Sequence, residues 1–152
     1  MLRLFALALF SLTALAAHAD APEGYPFLPF DQAMKQAAAE QKPVFVYFGR
    51  YGCGYCDKTN KEAFSDPTVR ERYVSHYVLA YVDSESGKRL RLPSGERITE
   101  RELGTRYDAF VTPVFSFLDP QGGLQHRLVG VQSREELLKA DEVARSKLGQ
   151  GE

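Results

Sequence analysis

The chain has 152 residues, of which 44% are hydrophobic and 26% charged, and its formal net charge is −1 at pH 7. Its 19 basic residues are balanced by 20 acidic ones and form no basic stripe, which excludes nucleic acid as an expected partner. There is no second cysteine pair, and only His76 and His126 lie beyond the N-terminal segment, which argues against a four-ligand zinc site; no metal is expected.

The N-terminus, MLRLFALALFSLTALAAHADAPEG, carries one positive charge at Arg3. An almost wholly apolar run follows from Leu4 to Leu15, then small residues at Ala17-His18-Ala19. This is the pattern of a secretory signal peptide, here residues 1–19, cleaved after Ala19. The apolar run is short for a membrane span and no charged stop follows it, so an anchor is the weaker reading. No cysteine stands at the cleavage point, so lipid attachment is not indicated. Cleavage removes Arg3 alone among the charged residues. It leaves a length of chain suited to one domain, with no later run apolar enough to cross a membrane, so no stable membrane insertion is expected.

Residues 20–29 are rich in Pro and Gly and read as an extended lead-in. Asp31 to Lys42 is Ala-rich and predicts a first helix, stopped by Pro43. VFVYFG (44–49) is a continuous apolar run of strand formers, as in a strand buried on both faces. CDKTNKEAF (56–64) has helix formers. Asp66-Pro67 reads as an N-cap with Pro at the first helical position, opening a piece with Val69, Tyr73 and Val74 inward. A second strand covers 77–83. The polar, turn-rich stretch 84–98 predicts a surface insert with a small hairpin around Pro93-Ser94-Gly95. Thr99 to Glu102 forms a capping box for a short helix through Leu103 and Tyr107. TPVFSFLD (112–119) is a strand, PQGG a tight turn, and LQHRLVG (124–130) its antiparallel partner. Ser133 to Glu136 is a second capping box, opening a helix to about Leu148 with Leu137, Leu138 and Val143 inward. The order predicts an α/β fold: a mixed sheet of about four strands with helices on both faces.

Both cysteines lie in YGCGYC, Cys53 and Cys56, directly after the first strand. Exported cysteines persist as disulfides. A staple, however, usually closes a longer loop, and a two-residue spacer removes little entropy from the unfolded chain. Redox exchange therefore leads over staple and metal site. A strand ending just before a helix puts Cys53 at a helix N-terminus, where free N–H groups favour the thiolate. Cys56 lies one helical turn on, within reach for a disulfide.

FGRYGCGYC (48–56) and VTPVFSFLDPQGG (111–123), in this element order, resemble the thioredoxin fold over residues 30–148. YCDKTNKEAFSDPTV, TERELGTRYDAFVTPVFSFLDPQGG and the 84–98 insert are similar to the SoxW-type periplasmic thioredoxins, linked to bacterial sulfur oxidation and periplasmic thiol reduction. The resemblance implies that Cys53 is the exposed attacking thiol and Cys56 the buried resolving thiol. It implies that Pro113 is a cis-proline facing them and receiving the partner peptide, with Thr112 tuning the thiolate and contacting the partner. Gly54 leaves room around the sulfur, and Tyr55, like Tyr51, either shapes the partner surface or covers the pair. The chain departs from ordinary thioredoxin at Gly52, where Trp is usual, at Tyr47, where a buried acid is usual, and at Gly54-Tyr55, where Gly-Pro is usual. Arg50, Lys58 and Lys61 read as solvated charges, His126 as structural, and Phe45, Phe48, Phe115 and Phe117 as core.

The expected function is an exported, periplasmic thiol–disulfide oxidoreductase, running as a reductase of protein disulfides in a SoxW-like role. Its partners would be oxidised protein substrates and a membrane thiol donor of electrons. The dithiol itself serves as cofactor, since no flavin or nicotinamide fingerprint occurs, and such folds often act as monomers. Three alternatives stay open: a thiol reductant for cytochrome c maturation, a disulfide oxidase or isomerase, and a non-enzymatic peptide-binding module with a structural disulfide.

Overall fold

The computed structural model of the chain describes residues 21–149. The expected signal peptide, residues 1–19, and its expected cleavage point lie outside the described residues. The elements in chain order are β1 (Leu28–Pro29), α1 (Phe30–Glu40), β2 (Val44–Gly49), α2 (Gly54–Thr59), a π-helical turn (Asn60–Phe64), α3 (Pro67–His76), β3 (Val78–Asp83), β4 (Arg89–Arg91), β5 (Arg97–Thr99), α4 (Glu100–Arg106), β6 (Val114–Leu118), β7 (Leu124–Val129) and α5 (Arg134–Leu148). The main sheet runs β1-β3-β2-β6-β7. β1 and β2 each pair parallel to β3, while β6 pairs antiparallel to both β2 and β7. The fold is α/β, with five strands in place of about four. The extra strand is the two-residue β1, too short to show periodicity. Its Pro29 is tolerated because an edge strand can spare an N–H.

β2 explains the two-sided architecture. Every one of its residues is buried. Because side chains alternate across a strand, Phe45 and Tyr47 enter one core with Phe64, Tyr73, Phe115 and Phe117, while Val44, Val46 and Phe48 enter another with α1 residues Phe30, Ala33, Met34 and Ala37. The predicted core phenylalanines are all fully buried. Helices cover both faces, and no described helix is long and apolar enough to cross a membrane.

Local signals placed the helix starts well. Asp66 Oδ1 accepts from the Thr68 and Val69 N–H groups at 2.9 and 3.1 Å, with Pro67 at the first helical position. Both capping boxes form, at Thr99/Glu102 and Ser133/Glu136. The helix faces differ from those expected. Val74 is exposed, being next to Tyr73 and so off the Val69–Tyr73 stripe. Leu138 and Val143 are only half-buried; the inward stripe of α5 is Leu137, Ala140, Asp141 and Ala144. α1 ends at Glu40, two residues earlier than predicted, because Gln41 turns left-handed (φ 50°).

The buried carboxylate of Asp141 on α5 is satisfied through one oxygen only; its Oδ2 has no hydrogen-bond partner among the described residues and lies 3.7 Å from an Arg72 Nη. Asp141 Oδ1 lies 2.8 Å from His76 Nδ1 and accepts from the Tyr77 hydroxyl at 2.8 Å, while the Tyr73 hydroxyl donates to the Leu137 carbonyl at 2.8 Å. Burial raises the pKa of both tyrosines, so they stay neutral donors. These bonds tie α5 to α3 and β3.

The 84–98 segment holds the β4–β5 hairpin, turned where the Gly95 N–H donates to the Leu92 carbonyl at 2.8 Å. It is anchored and not merely superficial: Leu90 and Ile98 are buried in the α1-side core. Glu100, at the start of α4, is only 4% exposed. Burial raises its carboxyl pKa; the Ser86 hydroxyl and Lys88 oppose this, while Asp83 and Asp31 add to it. A carboxyl with a raised folded pKa holds its proton more tightly folded than unfolded. Stability therefore falls as pH climbs from the unfolded pKa, about 4.3, through the folded one. Glu100→Gln is expected to melt above wild type at pH 7, with the gap closing towards pH 4 in thermal melts. A variant that melts lower at pH 7 would show the carboxylate to be better satisfied than its burial implies.

Candidate active site

The site begins where β2 ends. Gly49 has no room for a side chain, since a Cβ there would lie 2.6 Å from the Tyr81 hydroxyl. The chain then turns through Gly52 at φ +68°, a left-handed conformation that favours glycine. That accounts physically for a glycine directly before Cys53.

Cys53 is the N-cap of α2. Its Sγ accepts from the Cys56 N–H at 3.1 Å, and its carbonyl accepts from the Asp57 N–H at 3.0 Å. Cys53 and Cys56 are joined in a disulfide, with Cα atoms 5.2 Å apart. Thr112 Oγ1 lies 3.2 Å from Cys53 Sγ. A disulfide sulfur carries no proton, so the threonine hydroxyl is the donor. Cys53 is 4% exposed and Cys56 1%. The contrast between an exposed and a buried sulfur is thus small in the oxidised pair, because both belong to the aromatic core that includes Tyr47 and Phe64.

Thr112-Pro113 is a cis peptide bond. Pro113 is buried, and its carbonyl accepts from the Gly130 N–H at 2.8 Å, tying the start of β6 to the end of β7. Gly54 faces open space, since a Cβ there would meet nothing within 4 Å. Tyr51 and Tyr55 are both exposed. Arg50 is half-exposed, its Nε 3.8 Å from Glu85 Oε1. Lys61 pairs with Asp57 one turn away. His126 packs its ring 5.7 Å from Phe117 on the edge strand, and burial lowers its pKa, helped by Lys147.

Two further groups at the site have weak sequence signals. The buried Tyr47 hydroxyl donates to Asn60 Oδ1 at 3.0 Å and lies 3.4 Å from the Cys56 carbonyl, placing a polar pair under α2. Asn60 sits in a stretch read only as polar helix. Phe110 and Val111, just before Thr112, are exposed and apolar. With Tyr51, Tyr55 and Val129 they make up most of the large exposed apolar side chains among the described residues, all on segments that meet near the disulfide. Such clustering marks an interaction surface.

Residues 30–143 match the model of a family described as thioredoxin-like domain. Among solved structures, the chain is similar to a thioredoxin from Thermus thermophilus at 33% identity and a TM-score of 0.67, covering 83% of this chain and 92% of that one. It is similar to a candidate disulphide isomerase from Bacteroides thetaiotaomicron at 30% identity and a TM-score of 0.63, covering 80% and 91%. The C-terminal domain of DsbD from Neisseria meningitidis shares the fold at 21% identity and a TM-score of 0.57, covering 73% and 90%. No curated protein matches the chain by sequence.

Proposed function

This chain belongs to the thioredoxin-like family, and from that premise we propose that it works as an exported reductase of protein disulfides. It is a thiol–disulfide oxidoreductase whose redox group is the Cys53–Cys56 pair. The observation that carries the reading is the setting of Cys53: a helix N-cap sulfur that already receives hydrogen bonds from the Cys56 N–H and the Thr112 hydroxyl. In the reduced protein the same donors stabilise a thiolate, because hydrogen bonds to the charged form lower a pKa.

The cycle balances in two steps. The Cys53 thiolate attacks one sulfur of the substrate disulfide; a new S–S bond forms, and the second substrate sulfur leaves as a thiolate and takes a proton. Cys56 then loses its proton and attacks Cys53 Sγ. This closes the Cys53–Cys56 disulfide and expels the first substrate sulfur as a thiol. Two electrons pass to the substrate. The structure holds the oxidised state that ends the cycle. Return to the dithiol needs a thiol donor, which for a periplasmic protein is a membrane carrier passing electrons outward. The export signal supports the periplasmic location. The SoxW-like role in sulfur oxidation rests on the resemblance of residues 55–69 and 99–123, and Pro113 and the exposed apolar rim would receive the substrate segment.

The test is the reduction potential of the pair, by equilibration with a thiol redox buffer at pH 7. A reductase is expected near the thioredoxin end of the scale, about −270 mV; a value near about −120 mV would make the protein a donor of disulfides. Thr112→Val is expected to move the pH profile of Cys53 alkylation upward and to slow alkylation at pH 7 by about fivefold, the worth of one net hydrogen bond. An unchanged profile would leave the Cys56 N–H and the helix end as the groups that set the thiolate.

A further inference from the structure

A cleft of about 220 Å³ opens beside the disulfide. Arg50, Ser84, Glu85, Arg101, Thr105 and the loop 109–112 line it. Thr112 belongs to both places: it borders this cleft, and its hydroxyl lies 3.2 Å from Cys53 Sγ. An extended chain advances about 3.3–3.6 Å per residue. A peptide whose cysteine sits on Cys53 therefore carries its neighbouring side chains over the cleft.

The charges there are uneven. Arg50 and Arg101 line the cleft with a single carboxylate, Glu85. The Arg50–Glu85 pair is long, at 3.8 Å, and both side chains are substantially solvated. One Arg101 Nη donates to the Glu85 backbone carbonyl at 2.6 Å, and Arg101 makes no ion pair among the described residues. Of the other acids, Glu96 pairs with Arg106 and Glu102 caps α4, while Asp83 accepts from the Glu85 N–H and does not line the cleft. The Ser84 hydroxyl is buried without a hydrogen-bond partner among the described residues. Phe110 and Val111, exposed and lining the same cleft, offer apolar surface to the stem of an incoming side chain. Arginine forks match a carboxylate in shape as well as charge.

We propose that this cleft is a specificity subsite for an acidic side chain of the oxidised protein substrate, within about three residues of its disulfide cysteine. The proposal rests on the oxidoreductase reading above. It also gives the segment after β3 a role in choosing the substrate.

The test uses short disulfide peptides that differ at one position, Glu, Gln or Lys, placed two residues before the cysteine in one set and two after it in another. The reduced protein is the reagent, and kcat/KM is the readout. In one of the sets Glu is expected to exceed Lys by about tenfold at low salt, with the ratio collapsing at about 0.5 M salt. The ratio should fall towards one in the Arg50→Gln/Arg101→Gln double variant and widen in Glu85→Gln. Arg89→Gln, an exposed charge on β4 that does not line the cleft, should leave the ratio in place. A Glu-to-Lys ratio near one in both sets, or a ratio that survives the double variant, overturns the subsite while peptide reduction itself stands. If no peptide is reduced, Gln included, the oxidoreductase reading falls and the subsite with it.

Discussion

Cys56→Ser is expected to turn the protein from a catalyst into a trap. Multiple turnover in a protein-disulfide reduction assay should fall at least about a hundredfold, because the step that releases the substrate has lost its nucleophile. The first step survives. Serine is close in size to cysteine, and the residue 56 N–H that bonds Cys53 Sγ belongs to the backbone, so the thiolate keeps that donor. The covalent intermediate should therefore accumulate as a mixed disulfide with the substrate, visible on a non-reducing gel and released by dithiothreitol. Cys53→Ser should abolish both turnover and trapping, even though Cys56 remains, because the Thr112 hydroxyl and the residue 56 N–H serve Cys53 Sγ and not the Cys56 sulfur. Roles for the two sulfurs cannot be read from their exposure in the oxidised state, since Cys53 is itself only 4% exposed. The asymmetry is one of surroundings: Cys53 has the Thr112 hydroxyl and the open space beside Gly54, whereas Cys56 has its backbone over Tyr47. If Cys56→Ser captures no substrate, the pair is a structural bridge and the peptide-binding alternative takes its place.

What the sequence made legible follows the range of the interactions involved. Capping at Asp66, Thr99 and Ser133 is decided within four residues, and each cap is present. The uninterrupted apolar run 44–49 can only belong to a strand covered on both sides, and β2 is buried along its whole length. The cysteine pair is legible because its motif is local, whereas the cis bond of Thr112-Pro113, whose threonine meets Cys53 across 59 residues of chain, is implied by the family resemblance and not by the dipeptide itself. Features decided by distant contacts were not. β1 is a strand only because β3 lies beside it. Leu90 and Ile98 sit in a polar stretch and are buried because the hairpin folds onto the α1-side core. Nothing in the local stretch marks Asp141 as buried; its Oδ1 is held by His76 and Tyr77, which come from a distant part of the chain. The polar pair Tyr47–Asn60 and the apolar surface of Phe110–Val111 belong to the same class: nothing within their own stretches marks them as part of a site.

Phe45→Ala is expected to bring the largest loss of stability of any single truncation on β2, about 3–5 kcal/mol. Phe45 is fully buried, and its ring is hemmed in on every side. Tyr73 meets it edge-on with centroids 4.8 Å apart, Phe117 lies at 5.2 Å, Phe115 stacks at 5.9 Å, Phe64 lies at 6.1 Å and Tyr77 at 6.3 Å. Three of these neighbours are held by strands or hydrogen bonds that limit how far they can move inward. Phe115 and Phe117 are fixed by pairing with β2, and Tyr73 by its bond to the Leu137 carbonyl. A cavity there should stay open, and an open cavity is what makes large-to-small changes costly. For a domain of this size the loss corresponds to a fall of roughly 10–20 °C in Tm, measured by circular dichroism. Phe45→Leu, which refills most of the space, should recover more than half of it. The same aromatic cluster contains Cys53, Cys56 and Tyr47, so it forms the floor on which the disulfide rests. A fall of only a few degrees would mean that the surrounding rings close over the gap. The geometry of the redox pair would then be held by the β2–α2 turn and the Thr112 contact, and not by the packing beneath it.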